Sequence, residues 1–176
     1  MKENNKAIKI AVSNQKGGVG KTTTVLNLGA ALAVNNRRVL LVDCDPQHHL
    51  SNWLNWEADG KPTTSDIIFS TVTKQNVNFK NCIRYCEKEN FDFIPSINLL
   101  AGMLGIIAAD DNSSTVISRI FENDYFNENY DYIIFDCQTA LDLLVTNVLN
   151  ACDKLLIPVQ ADLLLSLIHI SEPTRH

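Results

Sequence analysis

The sequence predicts an α/β fold with a doubly wound, mostly parallel sheet. Three observations carry that prediction. Short apolar runs alternate with helical stretches along the chain, RVLLVD and YDYIIFD are apolar at nearly every position, and a glycine-rich turn joins the first run to the first helix. Near-continuous apolar runs belong to strands covered on both faces, and strands alternating with helices join by right-handed crossovers into a parallel sheet. At 176 residues, 45% hydrophobic and 20% charged, the chain suits one globular domain with a real core.

In chain order, AIKIAVSN (7–14) reads as the first strand. The glycine-rich loop follows, then a helix over 21–35 with apolar positions at Val25, Leu26, Leu28, Leu32 and Val34, stopped at Asn35-Asn36 where a left-handed cap is tolerated. RVLLVD (38–43) is the second strand; 51–56 and 64–70 read as helical, and the polar stretch 71–90 carries no clear pattern. FDFIPS (91–96) is a third strand, followed by helices over 98–109 and 114–123. YDYIIFD (130–136) is a fourth strand, 141–151 a helix and KLLIPVQ (154–160) a fifth strand. No internal repeat or low-complexity linker interrupts this order.

A net charge of −5 leaves no global electrostatic footprint for DNA or anionic lipid. No apolar run reaches the roughly 18 residues of a membrane span, and MKENNKAIKIAVSN has no leader pattern. The five cysteines, without a secretory signal, point to reduced thiols and a cytoplasmic location. Cys82 and Cys86 have no second pair at zinc-ligand spacing, so a metal site there is not expected.

Chemistry concentrates in SNQKGGVGKTTT (13–24), where Gly17, Gly18 and Gly20 fall between Lys16 and Lys21. Glycine allows positive φ and lets backbone N–H groups close around a phosphate. Lys21 would reach the β and γ phosphates, Thr22 would offer a hydroxyl to Mg²⁺, and the helix that starts here points its positive end at the same place. Gln15 stands where the usual loop has its first glycine, and Lys16 is an additional lysine inside the loop. Three carboxylates complete the pattern. Asp43 and Asp45 flank the end of the second strand in VDCDPQ, and Asp136 ends the fourth, where a carboxylate meets magnesium through water.

KGGVGKTT, DCDPQ, the Asp136 strand end and IPVQ (157–160), in this order, resemble the ParA/MinD superfamily of ATPases with the deviant Walker A phosphate loop, and its ParA partition branch most closely. The resemblance covers about residues 7 to 164 and implies a P-loop NTPase fold, incomplete at the C-terminus. It implies ATP and Mg²⁺ as cofactors, bound by Lys16, Gly17, Gly18, Val19, Gly20, Lys21, Thr22 and Thr23, with metal ligation by Thr22 and Asp136 and support from Asp43. Lys16 would be the signature lysine that contacts the nucleotide of the other subunit, and Asp45 would position the attacking water. The implied function is plasmid or chromosome segregation by an ATP-sandwich homodimer. That dimer would bind DNA without sequence preference, mainly through regions beyond this chain, and a ParB-type partner would stimulate hydrolysis. A cytoplasmic, nucleoid-associated protein follows, with no membrane role expected. The alternatives are a MinD-like membrane-associated ATPase, disfavoured by DPQ, and a truncated fragment without turnover.

Departures from the family pattern are local. Thr139-Ala140 stand where the family has Pro-Ser, leaving the shape of the second switch open, and His48-His49 follow DPQ where relatives often carry Gly-Asn. These histidines read as solvated loop residues, with a metal or pH role as the alternative. Trp53 and Trp56 read as packing or dimer contact. Leu165 to Arg175, LSLIHISEPTR, resembles the in-frame translation of a transposase-type sequencing adapter, so 165–176 is expected to be foreign to the domain formed by 1–164.

Overall fold

A computed structural model describes residues 6–161; the tail from 165 singled out above lies outside the described residues. β1 (Ile8–Val12) leads through the glycine-rich loop into α1 (Lys21–Val34) and back to β2 (Val39–Cys44). α2 (His49–Trp53), α3 (Thr64–Val72) and α4 (Phe79–Cys82) precede a β3 (Arg84–Cys86) and β4 (Phe91–Ile94) hairpin. A 3₁₀ turn (Asn98–Gly102), α5 (Met103–Ala108), α6 (Val116–Phe121) and α7 (Asp124–Asn129) lead to β5 (Tyr132–Cys137), α8 (Leu143–Ala151) and β6 (Lys154–Leu156).

The six strands lie in the order β3-β4-β2-β5-β1-β6, with β3 antiparallel to β4 and the other neighbours parallel. The predicted doubly wound sheet is therefore present, and strand alternation builds it. Leu40, Val42 and Cys44 of β2 join Ile133 and Phe135 of β5 in one core with residues of α3, α5, α6 and α8. Leu41 and Ile134, on the other face, pack with Val25 and Ala33 of α1. α1 approaches closely because position 29 is glycine: a Cβ there would stand 2.9 Å from Leu41 Cδ2.

Several expected boundaries move. The polar stretch 71–90 contains α4 and the edge strand β3, whose Arg84 is buried and bonded to both Asp59 oxygens at 3.1 and 2.7 Å. The helix expected over 51–56 starts at His49, and Trp56 lies outside it, half-buried beneath the Arg84 guanidinium at 5.5 Å. The helix expected over 98–109 is split by its 3₁₀ turn. The strand expected over 154–160 stops at Leu156, because Pro158 has no N–H to continue a ladder. Asn36 takes φ 58°, the left-handed stop read from Asn35-Asn36. No helix among the described residues is long and apolar enough to cross a membrane.

Candidate phosphate-binding site

The parallel strands point their carboxyl ends at one edge, and the chemically distinctive residues gather there. Gly18 and Gly20 take φ of 74° and 87°, which an L side chain resists; a Cβ on either would meet nothing within 4 Å, so conformation rather than space requires glycine. Gly17 and the half-buried Val19 complete the loop, and the exposed Lys16 donates its backbone N–H to Asn14 Oδ1 at 2.9 Å. Left-handed Gly20 starts α1, and no side chain caps that end. The first-turn amides and the positive end of the helix therefore remain directed at the loop, where an anion satisfies both. Lys21 is buried in that first turn, and Thr23 is exposed on it.

Register brings the carboxylates to the same place. Asp43 and Asp136 are cross-strand partners on β2 and β5, and both fall on the α1 face by strand alternation. Thr22 Oγ1 donates to Asp136 Oδ2 at 2.7 Å, while Asp136 Oδ1 is buried with no hydrogen-bond partner. Burial pushes the Asp136 carboxyl up to about 7, against the opposing Thr22 bond, with the nearby Asp43 and Asp45 adding to the rise. Asp43 is pushed up to about 6, again mainly by burial. Its Oδ2 accepts from the Ser51 N–H at 3.0 Å and the Ser51 hydroxyl at 2.7 Å, and its Oδ1 accepts from the Asp45 N–H at 3.1 Å. Asp43 thus anchors the β2–α2 turn, a support one step removed from the Thr22–Asp136 junction.

That turn aims Asp45. The His48 N–H closes onto the Asp45 carbonyl at 2.8 Å, and Asp45 Oδ1 accepts the Gln47 N–H at 2.8 Å. Asp45 Oδ2 lies 3.5 Å from His49 Nδ1. Between this turn and the loop opens a cleft of about 550 Å³, lined by Gly17, Gly18, Lys21, Thr22, Asp45 and His49 among others. Gln47, Trp53, Gln138 and Thr139 line it as well. Sequence reasoning gave no cleft role to Gln47, Gln138 or Thr139, and it missed Ser51, whose bonds to Asp43 span eight positions; no spacing rule identifies such a loop contact.

The donor set fits a small divalent cation. Asp136 Oδ1 is a buried acceptor in want of a positive partner, and the Thr22 hydroxyl lies beside the same carboxylate. Magnesium takes one or two protein oxygens and fills its octahedron with phosphate oxygens and water. No group of three or more His, Cys, Asp or Glu side chains suited to a metal converges among the described residues. Cys44 and Cys137 are both buried, and burial holds both thiols well above their ordinary range, so neither is a thiolate.

Residues 7–170 match AAA_31, described as an AAA domain. Sporulation initiation inhibitor protein Soj of Bacillus subtilis is 42% identical over 154 residues, which is 87% of this chain and 58% of Soj. Chromosome partitioning protein ParA of Caulobacter vibrioides is 34% identical over 154 residues, 87% of this chain and 56% of ParA. The chain thus spans a little over half the length of these curated relatives. Among solved structures, cobyrinic acid a,c-diamide synthase from Mycobacterium smegmatis, with bound ATP analog and magnesium, superposes with a TM-score of 0.77 at 30% identity, covering 93% of this chain and 66% of that one.

Proposed function

The chain belongs to the AAA_31 family of AAA domains, and on that premise we propose that it binds ATP with Mg²⁺ in this cleft and hydrolyses it as a ParA-type partition ATPase. The observation that carries the reading is the junction of Thr22 with Asp136 at the foot of an uncapped, glycine-led helix. The amides of Gly17 to Lys21 cradle the phosphates, and the Lys21 ammonium sits against the β and γ groups. Thr22 and Asp136 hold the magnesium, which neutralises charge on the phosphates when bound. Asp45, turned into the cleft, orients the attacking water.

Lys16 stands on the exposed rim of the loop, where a second copy can receive it. A lysine supplied across a dimer adds charge around the γ-phosphate only when two subunits meet, which ties hydrolysis to dimerisation. In this reading ATP drives a homodimer that segregates a replicon, with non-specific DNA as its track and a ParB-type protein as its activator.

The test is nucleotide binding and turnover in two variants. Lys21→Ala is expected to abolish ATP binding by calorimetry, and binding at the wild-type level rejects the phosphate-loop assignment. Lys16→Ala is expected to keep binding and lose ATP-dependent dimerisation or turnover; wild-type dimer and turnover would reduce Lys16 to a surface charge.

A further inference from the structure

Asp45 needs more than its own backbone to face the cleft. Its Oδ1 is engaged by the Gln47 N–H at 2.8 Å, and one such bond leaves the carboxylate free to swing about that anchor. Oδ2 takes no part in that bond. His49 Nδ1 lies 3.5 Å from it, the Asp45 side chain being 15% and the His49 side chain 60% exposed.

This pairing is built by the turn. His48 takes φ 44°, its N–H closes on the Asp45 carbonyl, and α2 therefore begins at His49 with its imidazole over the carboxylate four residues back. Both side chains line the phosphate cleft together with Lys21 and Thr22. At this corner the charges of Lys21 from α1, Asp43 from β2 and Asp45 act on Asp136 from β5, and that of Asp45 acts on Asp43. His48, the adjacent imidazole, faces away, its Nδ1 3.1 Å from the Pro46 carbonyl oxygen.

We propose that His49 is a positioning residue for Asp45: the imidazole holds the second carboxylate oxygen toward the water that attacks ATP. This rests on the ATPase reading above and adds to it the residue that controls its water-orienting carboxylate. Catalytic contacts that are long in an apo site commonly tighten when the ligand binds.

The experiment compares wild type, His49→Ala and His49→Asn in ATP hydrolysis at saturating Mg²⁺ and one neutral pH, with ATP binding measured alongside. His49→Ala is expected to lower kcat about tenfold with KM within about twofold of wild type. His49→Asn places an amide nitrogen where Nδ1 stands, and is expected to restore most of kcat. In parallel, the His49 ring resonances are compared by NMR in wild type and in Asp45→Asn at one neutral pH, where loss of the carboxylate is expected to move them more than those of His48. Wild-type kcat in His49→Ala, or His49 ring resonances indifferent to Asp45→Asn, overturns the proposal. Absence of ATP binding by the wild-type chain instead rejects the phosphate-loop reading, and the NMR comparison still decides the His49–Asp45 pairing. If the chain binds ATP without turning it over, that NMR comparison alone decides.

Discussion

β1 has β5 on one side and β6 on the other, and the two neighbours are built from similar residues. YIIFDC of β5 is buried at every position after the first, whereas KLL of β6 is exposed throughout. β5 is paired along its length by both β1 and β2, through five and six register partners. β6 shares three with β1 and has no outer strand among the described residues. Apolar sequence alone therefore does not bury a strand; a second ladder and a helix on each face do. The catalytic candidates follow the same division. Asp43, Asp136 and the loop after β1 belong to the doubly covered centre, where low polarity gives each charge its leverage.

The sharpest test of the division lies at the centre. Leu41 of β2 is fully buried under Gly29 of α1. Leu41→Ala should cost about 3 kcal/mol, the scale of a cavity in a rigid core. Chemical denaturation measures it directly. A loss below about 1 kcal/mol would mean that α1 settles onto the strand, and that the centre is less tightly packed than its burial indicates.

Much of this centre was legible in the residues. The alternating apolar runs foretold the doubly wound sheet, the glycines foretold the loop, and Asp43, Asp45 and Asp136 were placed by their positions at strand ends. Local patterns carry such features because backbone conformation and strand burial are decided within a few residues. β3 was not legible. Its three residues, RYC, lie in a polar stretch, and the strand is held by pairing with β4 and by Arg84 reaching Asp59, 25 positions away. α7 was missed for a related reason: its six residues carry little periodicity, and its start rests on the Asn123 side chain accepting the Tyr125 N–H at 3.0 Å. The His49–Asp45 contact needed the left-handed backbone at His48, which the pair of histidines did not announce.

The next test uses the charge held at the centre. Asp43 and Asp136 are raised from 3.8 to about 6 and about 7 by burial, so the folded apo chain binds more protons than the unfolded chain between those values. Stability contributed by these protonated carboxyls is full below the unfolded value and is lost as pH rises through the folded one. The apo protein should thus lose stability from about pH 4 to about pH 7, with Asp136 supplying about 3 kcal/mol. Asp136→Asn should flatten that slope, and Mg²⁺ with nucleotide should offset it in wild type. Thermal melts across this range decide; an unchanged slope in Asp136→Asn would show that this carboxylate is not the buried load it is taken to be.

The smallest expected effect lies at β6, and it is the one that most directly breaks or keeps the comparison. Ile157, just beyond the strand, is 53% exposed, and Val159 is 72% exposed. Among the described residues no strand covers this edge, and an uncovered edge flanked by such side chains invites another chain to pair with it, an edge lysine being the usual remedy. Ile157→Lys should change folding stability by less than about 0.5 kcal/mol, since little apolar surface is lost from a core. It should also lower self-association in light scattering, because a charged edge resists strand addition. If the substitution instead costs more than about 2 kcal/mol, Ile157 is buried against further polypeptide in the folded chain, and the contrast between β5 and β6 reflects a neighbour outside the described residues. If stability and self-association are both unchanged, the edge is already protected, and its exposure is the ordinary exposure of a surface strand.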